Sequence, residues 1–199
     1  MKRFLLFLRF SIIILAAASC KSVLMKMEHV KAPALESKSS VLAFLKRYQL
    51  DKKSIYTCRD SASCVQLYLK FKNIPEAAFF NSRGEMLIYS DSSCPGKAAN
   101  FASQFVPGES YRVNHGFCLK DLGEKMAPLG KDTWQPAAKY DLTVVIFWAV
   151  YCGKINRNGF EIMDVLNNKP GIKVQVLLLN MDFLKEWGMR KKLPVSMDV

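Results

Sequence analysis

Leu142 to Val150, LTVVIFWAV, is an apolar run broken only by Thr143. It shows no alternation, so neither side of the segment is built to face water. Such a run reads as a central strand covered on both faces. Ile172 to Asn180, IKVQVLLLN, reads as a second buried strand. Between them, Lys154 to Asn167 has helical spacing. Ile155, Gly159, Ile162, Met163 and Leu166 line one side, and Lys169-Pro170-Gly171 stops the helix. The chain has 199 residues and half of them are apolar, enough for one domain with a sizeable core and some appendage.

The middle of the chain gives further elements. In SSVLAFLKRYQL, Val41, Leu42, Leu45 and Tyr48 share a helical face. KSIYTC is a short strand. ASCVQLYLKFKN is a helix with Val65, Tyr68, Leu69 and Phe71 as its apolar residues. Two strands, Glu76 to Phe80 and Glu85 to Tyr89, are joined by Asn81-Ser82-Arg83-Gly84, a hairpin signature. CPGKAANFASQF is a helix with Ala98, Phe101, Ala102 and Phe105 on one stripe. Val106 to Lys139 holds seven Gly and Pro residues and reads as a connector with one short helix near Leu119 to Met126. MDFLKEWGMRKK reads as a last helix or a turn-rich end.

The first 20 residues carry basic Lys2, Arg3 and Arg9, then the apolar run Phe10 to Ala18, then small residues up to Cys20. The uncharged run is too short for a spanning helix, and the pattern is that of an export signal. Its end, Ala17-Ala18-Ser19-Cys20, resembles a bacterial lipobox. That resemblance implies a signal peptide over 1–19, a lipid on Cys20, and a chain tethered to the cell envelope through residues 20–38. An ordinary secretory signal with Cys20 near the cut is the other reading. The formal charge is +12, and about +9 once the three early basic residues are removed. No cluster of basic residues interleaved with aromatics argues for nucleic acid, and an anionic envelope surface accounts for the charge.

Six cysteines include Cys20. In an exported chain, Cys58 with Cys64 and Cys94 with Cys118 are possible disulfides, and an odd thiol remains. No cysteine has zinc-ligand spacing, and His29 and His115 lie near no metal-like cluster. Neither a metal nor a cofactor is implied.

Cys152 closes the strongest motif. LTVVIFWAVYCGKINR resembles the strand-to-helix junction of thioredoxin-like proteins, in particular those of the envelope. Trp148, Ala149, Tyr151, Cys152 and Gly153 match that motif in kind and order, while Ile155 stands where the family has its second cysteine. Asn73-Ile74-Pro75 with the hairpin and helix after it resembles the later part of the same fold, which begins with a cis proline. The resemblance implies an α/β fold with a mixed central sheet flanked by helices. The late-type elements (39–106) come first here, then a connector (107–139), then the early-type elements (140–199). A circularly permuted single domain is the expected arrangement, because half a sheet would leave apolar faces uncovered. Two partial units, with Leu193-Pro194-Val195 imitating the proline step, are the alternative.

A cysteine at a helix N-terminus faces unpaired N–H groups, which favour thiolate, and Lys154 would add to this. Trp148, Tyr151, Lys154 and Pro75 form the expected rim around Cys152. Without a second cysteine at 155, an attack on a disulfide stalls at the mixed disulfide. The expected function is a noncatalytic envelope module that binds a protein or peptide partner. A monothiol oxidoreductase or thiol-capturing protein using Cys152, and a peptide or glycan carrier with a basic surface, are the alternatives.

Overall fold

The computed structural model describes residues 25–50, 54–89, 95–129, 139–167 and 169–189. Helix α1 (Lys38–Lys46) starts on a reciprocal cap. Ser40 N–H donates to Ser37 Oγ at 3.1 Å and Ser37 N–H donates to Ser40 Oγ at 2.9 Å. Helix α2 (Ser61–Lys70) starts on Asp60, whose carboxylate accepts from Ser63 N–H at 2.7 Å. Three further α-helices are α3 (Pro95–Gln104), α4 (Leu119–Gly123) and α5 (Asn156–Asn167).

The strands are β1 (Ile55–Cys58), β2 (Glu76–Asn81), β3 (Glu85–Leu87), β4 (Val113–Cys118), β5 (Met126–Pro128), β6 (Leu142–Trp148) and β7 (Val174–Asn180). They make one seven-stranded sheet in the order β4-β3-β2-β6-β7-β1-β5. The β6–β7 and β7–β1 pairs are parallel, and the remaining pairs are antiparallel. The protein is therefore α/β, a mixed sheet flanked by helices, an arrangement compatible with a thioredoxin-like fold.

The unbroken apolar run now has its reason. Alternate residues of β6 leave opposite faces of the sheet. Val144, Ile146 and Trp148 join α1, α3 and α5 in one core, while Val145 and Phe147 join α2 and α4 in the other. The two resembling segments, far apart in sequence, meet strand to strand. β2 runs antiparallel to β6, from Glu76 opposite Phe147 to Asn81 opposite Leu142. The hairpin turn is held by Asn81, whose Oδ1 accepts from the N–H groups of Arg83 and Glu85, both at 3.0 Å.

Several expectations are corrected. The connector holds two strands, β4 and β5, at opposite edges of the sheet. On α2, Cys64, Leu67 and Tyr68 face the core, while Leu69 is 63% exposed. On α5, which starts at Asn156, Gly159, Ile162 and Leu166 of the expected stripe are buried, and Phe160 rather than Met163 is its large buried side chain. Among the described residues beyond β7 stands a 3-10 turn, Lys185–Trp187, the turn-rich end of the two alternatives. The described part of the expected tether is bound to the body of the protein. Glu36 bridges to Leu184, with Glu36 N–H donating to Phe183 O at 2.9 Å and Lys185 N–H donating to Glu36 O at 2.8 Å. The signal segment, Cys20, Cys94 and Leu193-Pro194-Val195 lie outside the described residues.

Candidate functional site around Cys152

Cys152 does not begin a helix. It sits in a 3-10 turn, Val150–Ile155, that carries the chain from β6 to α5, and Gly153 within it has φ +55°. α5 starts at Asn156, beyond a kink. The non-helical Gly153 therefore separates Cys152 from the start of α5. Asn156, fully buried, ties the turn together. Its Nδ2 donates to Ala149 O at 2.7 Å and to Gly153 O at 3.0 Å. Tyr48 OH adds a bond to Gly153 O at 3.2 Å from the side of α1.

Three residues, Ile74, Tyr151 and Asp182, act on the buried sulfur, and a strap is bonded to its turn. In front is the Ile74 carbonyl, which accepts from Cys152 Sγ at 3.5 Å. The Ile74–Pro75 bond is cis, as the resemblance implied. Pro75 is buried and lies close to Gly159 of α5, where a Cβ would approach Pro75 to 3.3 Å and Ile146 to 3.1 Å. Glycine at 159 lets α5 come down onto the proline. To one side is Tyr151, whose hydroxyl shares a hydrogen bond with Tyr68 at 3.0 Å.

Behind the turn lies Asp182, 2% exposed. Its Oδ2 accepts from Val150 N–H and from Asn180 Nδ2, each at 2.7 Å. Its Oδ1 is buried with no hydrogen-bond partner among the described residues. Loss of water lifts this acid to about 7, against its ordinary 3.8. Burial also pushes the Cys152 thiol up, to about 12, and the nearby Asp182 carboxylate adds to the effect. The expectation of a lowered thiol is thus reversed.

Above the turn runs a strap, residues 28–31. Lys154 N–H donates to Glu28 O at 2.7 Å, and Lys31 N–H donates to Tyr151 O at 2.8 Å. A Cβ on Gly153 would fall on the carbonyl oxygens of Glu28 and His29, so glycine is what admits the strap.

The remaining expected residues divide. Pro75 and Tyr151 are brought to Cys152. Trp148 is not at a rim. It is fully buried in the α1/α5 core, its ring stacked on Phe44 at 5.6 Å and edge-on to Phe160 at 6.1 Å. Lys154 is exposed and lines a cavity on the far side of the strap. Cys58, Cys64 and Cys118 are free thiols. Cys58 and Cys64, which the sequence allowed to bridge, lie beside each other as free thiols, each also near a backbone acceptor. Cys58 Sγ points to Asn180 O at 3.9 Å and Cys64 Sγ to Met181 O at 3.5 Å. Among the described residues, no three His, Cys, Asp or Glu side chains are grouped so as to hold a metal ion. None of the described helices is long and apolar enough to cross a membrane.

Asp182 and Asn156 escaped the reading of the sequence. A signal for Asp182 existed: it is the single acid in LLLNMDFL, an otherwise apolar stretch apart from Asn180. Comparison with protein-family models, with curated proteins and with solved structures finds no match.

Proposed function

We propose that this protein is a noncatalytic, thioredoxin-like binding module of the bacterial cell envelope, anchored by a lipid on Cys20. One observation carries the noncatalytic part. The solitary thiol is enclosed, with its Sγ donating to the Ile74 carbonyl and Asp182 behind its turn. A nucleophilic cysteine needs access and a stabilised thiolate. Here burial and the Asp182 carboxylate favour the protonated form, and contacts with Tyr151 and Ala149 only partly oppose them. Ile155 then leaves no second sulfur three residues on to resolve a mixed disulfide. The lipobox-like end of the leader supports the anchor.

The test is alkylation of Cys152 with iodoacetamide across pH, read peptide by peptide by mass spectrometry, beside an insulin-disulfide reduction assay. The expected result is slow labelling with no midpoint below that of a free thiol, and no turnover of insulin. A labelling midpoint well below the free-thiol value, together with insulin reduction, would establish the monothiol enzyme instead.

A further inference from the structure

A cavity of about 570 Å³ lies between the strap, α1 and the start of α5. Its walls carry Lys31, Arg47, Lys154 and Arg157, all exposed. The carboxylate among its lining residues is Glu36, which already accepts from the Ser40 hydroxyl. None of the four cations forms an ion pair among the described residues. They come from three separate segments, so they surround the space rather than stand in a row. The charges of Arg157 and Arg47 and, with opposite sign, of Glu28 in the strap reach the Tyr48 phenol on the same wall. Phe44 and Val150 supply an apolar floor.

We propose that this cavity binds a small organic molecule bearing a phosphate group. The volume suits a small ligand rather than a folded partner. Four positive charges against the carboxylates of Glu36, already engaged with Ser40, and Glu28 of the strap leave a positive surplus. A phosphate carries up to two charges and three terminal oxygens, so it can take donors from several cations at once. Guanidinium forks match that group well, and the apolar floor receives the rest of the molecule. The proposal deepens the binding-module reading, on which it rests, by naming the ligand class. The strap forms one wall, so the ligand would touch both the strap and the Cys152 turn.

Isothermal titration of the purified protein with inorganic pyrophosphate tests the site. Saturable binding that weakens with added salt is expected. Arg157→Gln and Arg47→Gln should each weaken it about tenfold, the size of one charge-assisted contact. Lys154→Gln provides a further variant should either fail to fold. Lys120→Gln, on the α4 side of the sheet, should leave binding unchanged. Vesicles of phosphatidylglycerol in phosphatidylcholine distinguish the source. Capture by vesicles that depends on the same arginines assigns a lipid headgroup, and capture that ignores them beside saturable pyrophosphate binding assigns a soluble phosphate. Absence of saturable binding to both probes, or binding unmoved by the arginine variants, overturns the site. Alkylation of Cys152 in the same samples keeps the two readings apart. An inert thiol with no phosphate binding rejects only the ligand class, whereas a reactive thiol rejects the module reading whatever pyrophosphate does.

Discussion

Replacing Asp182 with Asn isolates the buried acid behind the Cys152 turn. Burial lifts this carboxyl to about 7, and the N–H groups of Val150 and Tyr151 and the Asn180 amide only partly oppose the shift. In the unfolded chain the same acid loses its proton near 3.8. Across the interval between these values the folded protein holds a proton that the unfolded chain has released. Stability therefore falls as pH rises through the interval, by up to about 1.4 kcal/mol per pH unit, and levels off above it. Summed across the interval, the ionised acid costs the fold on the order of 4 kcal/mol, or about 2–4 once relaxation around the charge is allowed for. Asn keeps an oxygen for Val150 N–H and Asn180 and has no charge to bury. Asp182→Asn should match the parent near the acid end of the interval and exceed it by about 2–4 kcal/mol above neutrality. Urea unfolding at closely spaced pH values measures both curves. Glu76, also lifted to about 7 by burial, leaves a residual slope in the variant that Glu76→Gln should remove. Parallel curves for parent and Asp182→Asn from acid to neutral pH would refute the reasoning, because they would mean that the acid ionises as freely in the fold as outside it.

Gly153→Ala places a Cβ against the Glu28 and His29 carbonyls at a positive φ, so it should dislodge the strap and cost about 1–3 kcal/mol. Faster tryptic cleavage at Lys26 and Lys31 and faster Cys152 alkylation are the readouts, and unchanged rates would remove the strap from the account. Phe160→Ala should lower the unfolding free energy by about 3–5 kcal/mol, since its ring meets Tyr48 at 5.2 Å and Trp148 at 6.1 Å. Met163→Ala, at a half-buried position, should cost clearly less, and the reverse order would restore the stripe expected from sequence. Cys20→Ser should move the protein from the membrane fraction to the soluble fraction, with loss of the lipid mass on the mature chain. Membrane retention without the lipid would refute the anchor.

The strands that could be read in the sequence were those whose burial leaves no alternative. LTVVIFWAV has apolar residues on both sides because both faces of β6 are covered by helices. The hairpin was legible because its turn is local chemistry, Asn81 and Gly84 acting within four residues. β4 and β5 were not legible, and their positions explain why. Each is an edge strand, so each needs apolar character on few residues. β4 carries exposed His115 and Gly116, and β5 ends in Pro128, which an edge strand tolerates because one side of it needs no ladder donor. The apolar face of α5 was legible in most of its residues. Gly159, Ile162 and Leu166 are buried as the stripe required, and Phe160, next to Gly159, widens that face where the sequence put Met163.

The chemistry of Cys152 was the least legible part, since it depends on residues that the turn collects from far along the chain. A strand ending in a cysteine and followed by a helix suggests an exposed thiolate if strand and helix join directly. Here Gly153 kinks the junction and separates the cysteine from the start of α5. Ile74 comes from the sheet segment beside β6, Asp182 from the end of β7, and the strap from ahead of α1. Burial and the acid both hold the thiol up, the Ile74 carbonyl accepts its hydrogen bond, and the strap is bonded to the turn on either side of it. The difference from a working dithiol site therefore does not rest on Ile155 alone. Even with a sulfur at 155, the first thiol would remain protonated and enclosed while Asp182 and the strap stayed in place. The Cys152 turn and the basic cavity share the strap as a wall, so Val150, Gly153 and Lys154 of the turn line the cavity while the sulfur between them stays buried.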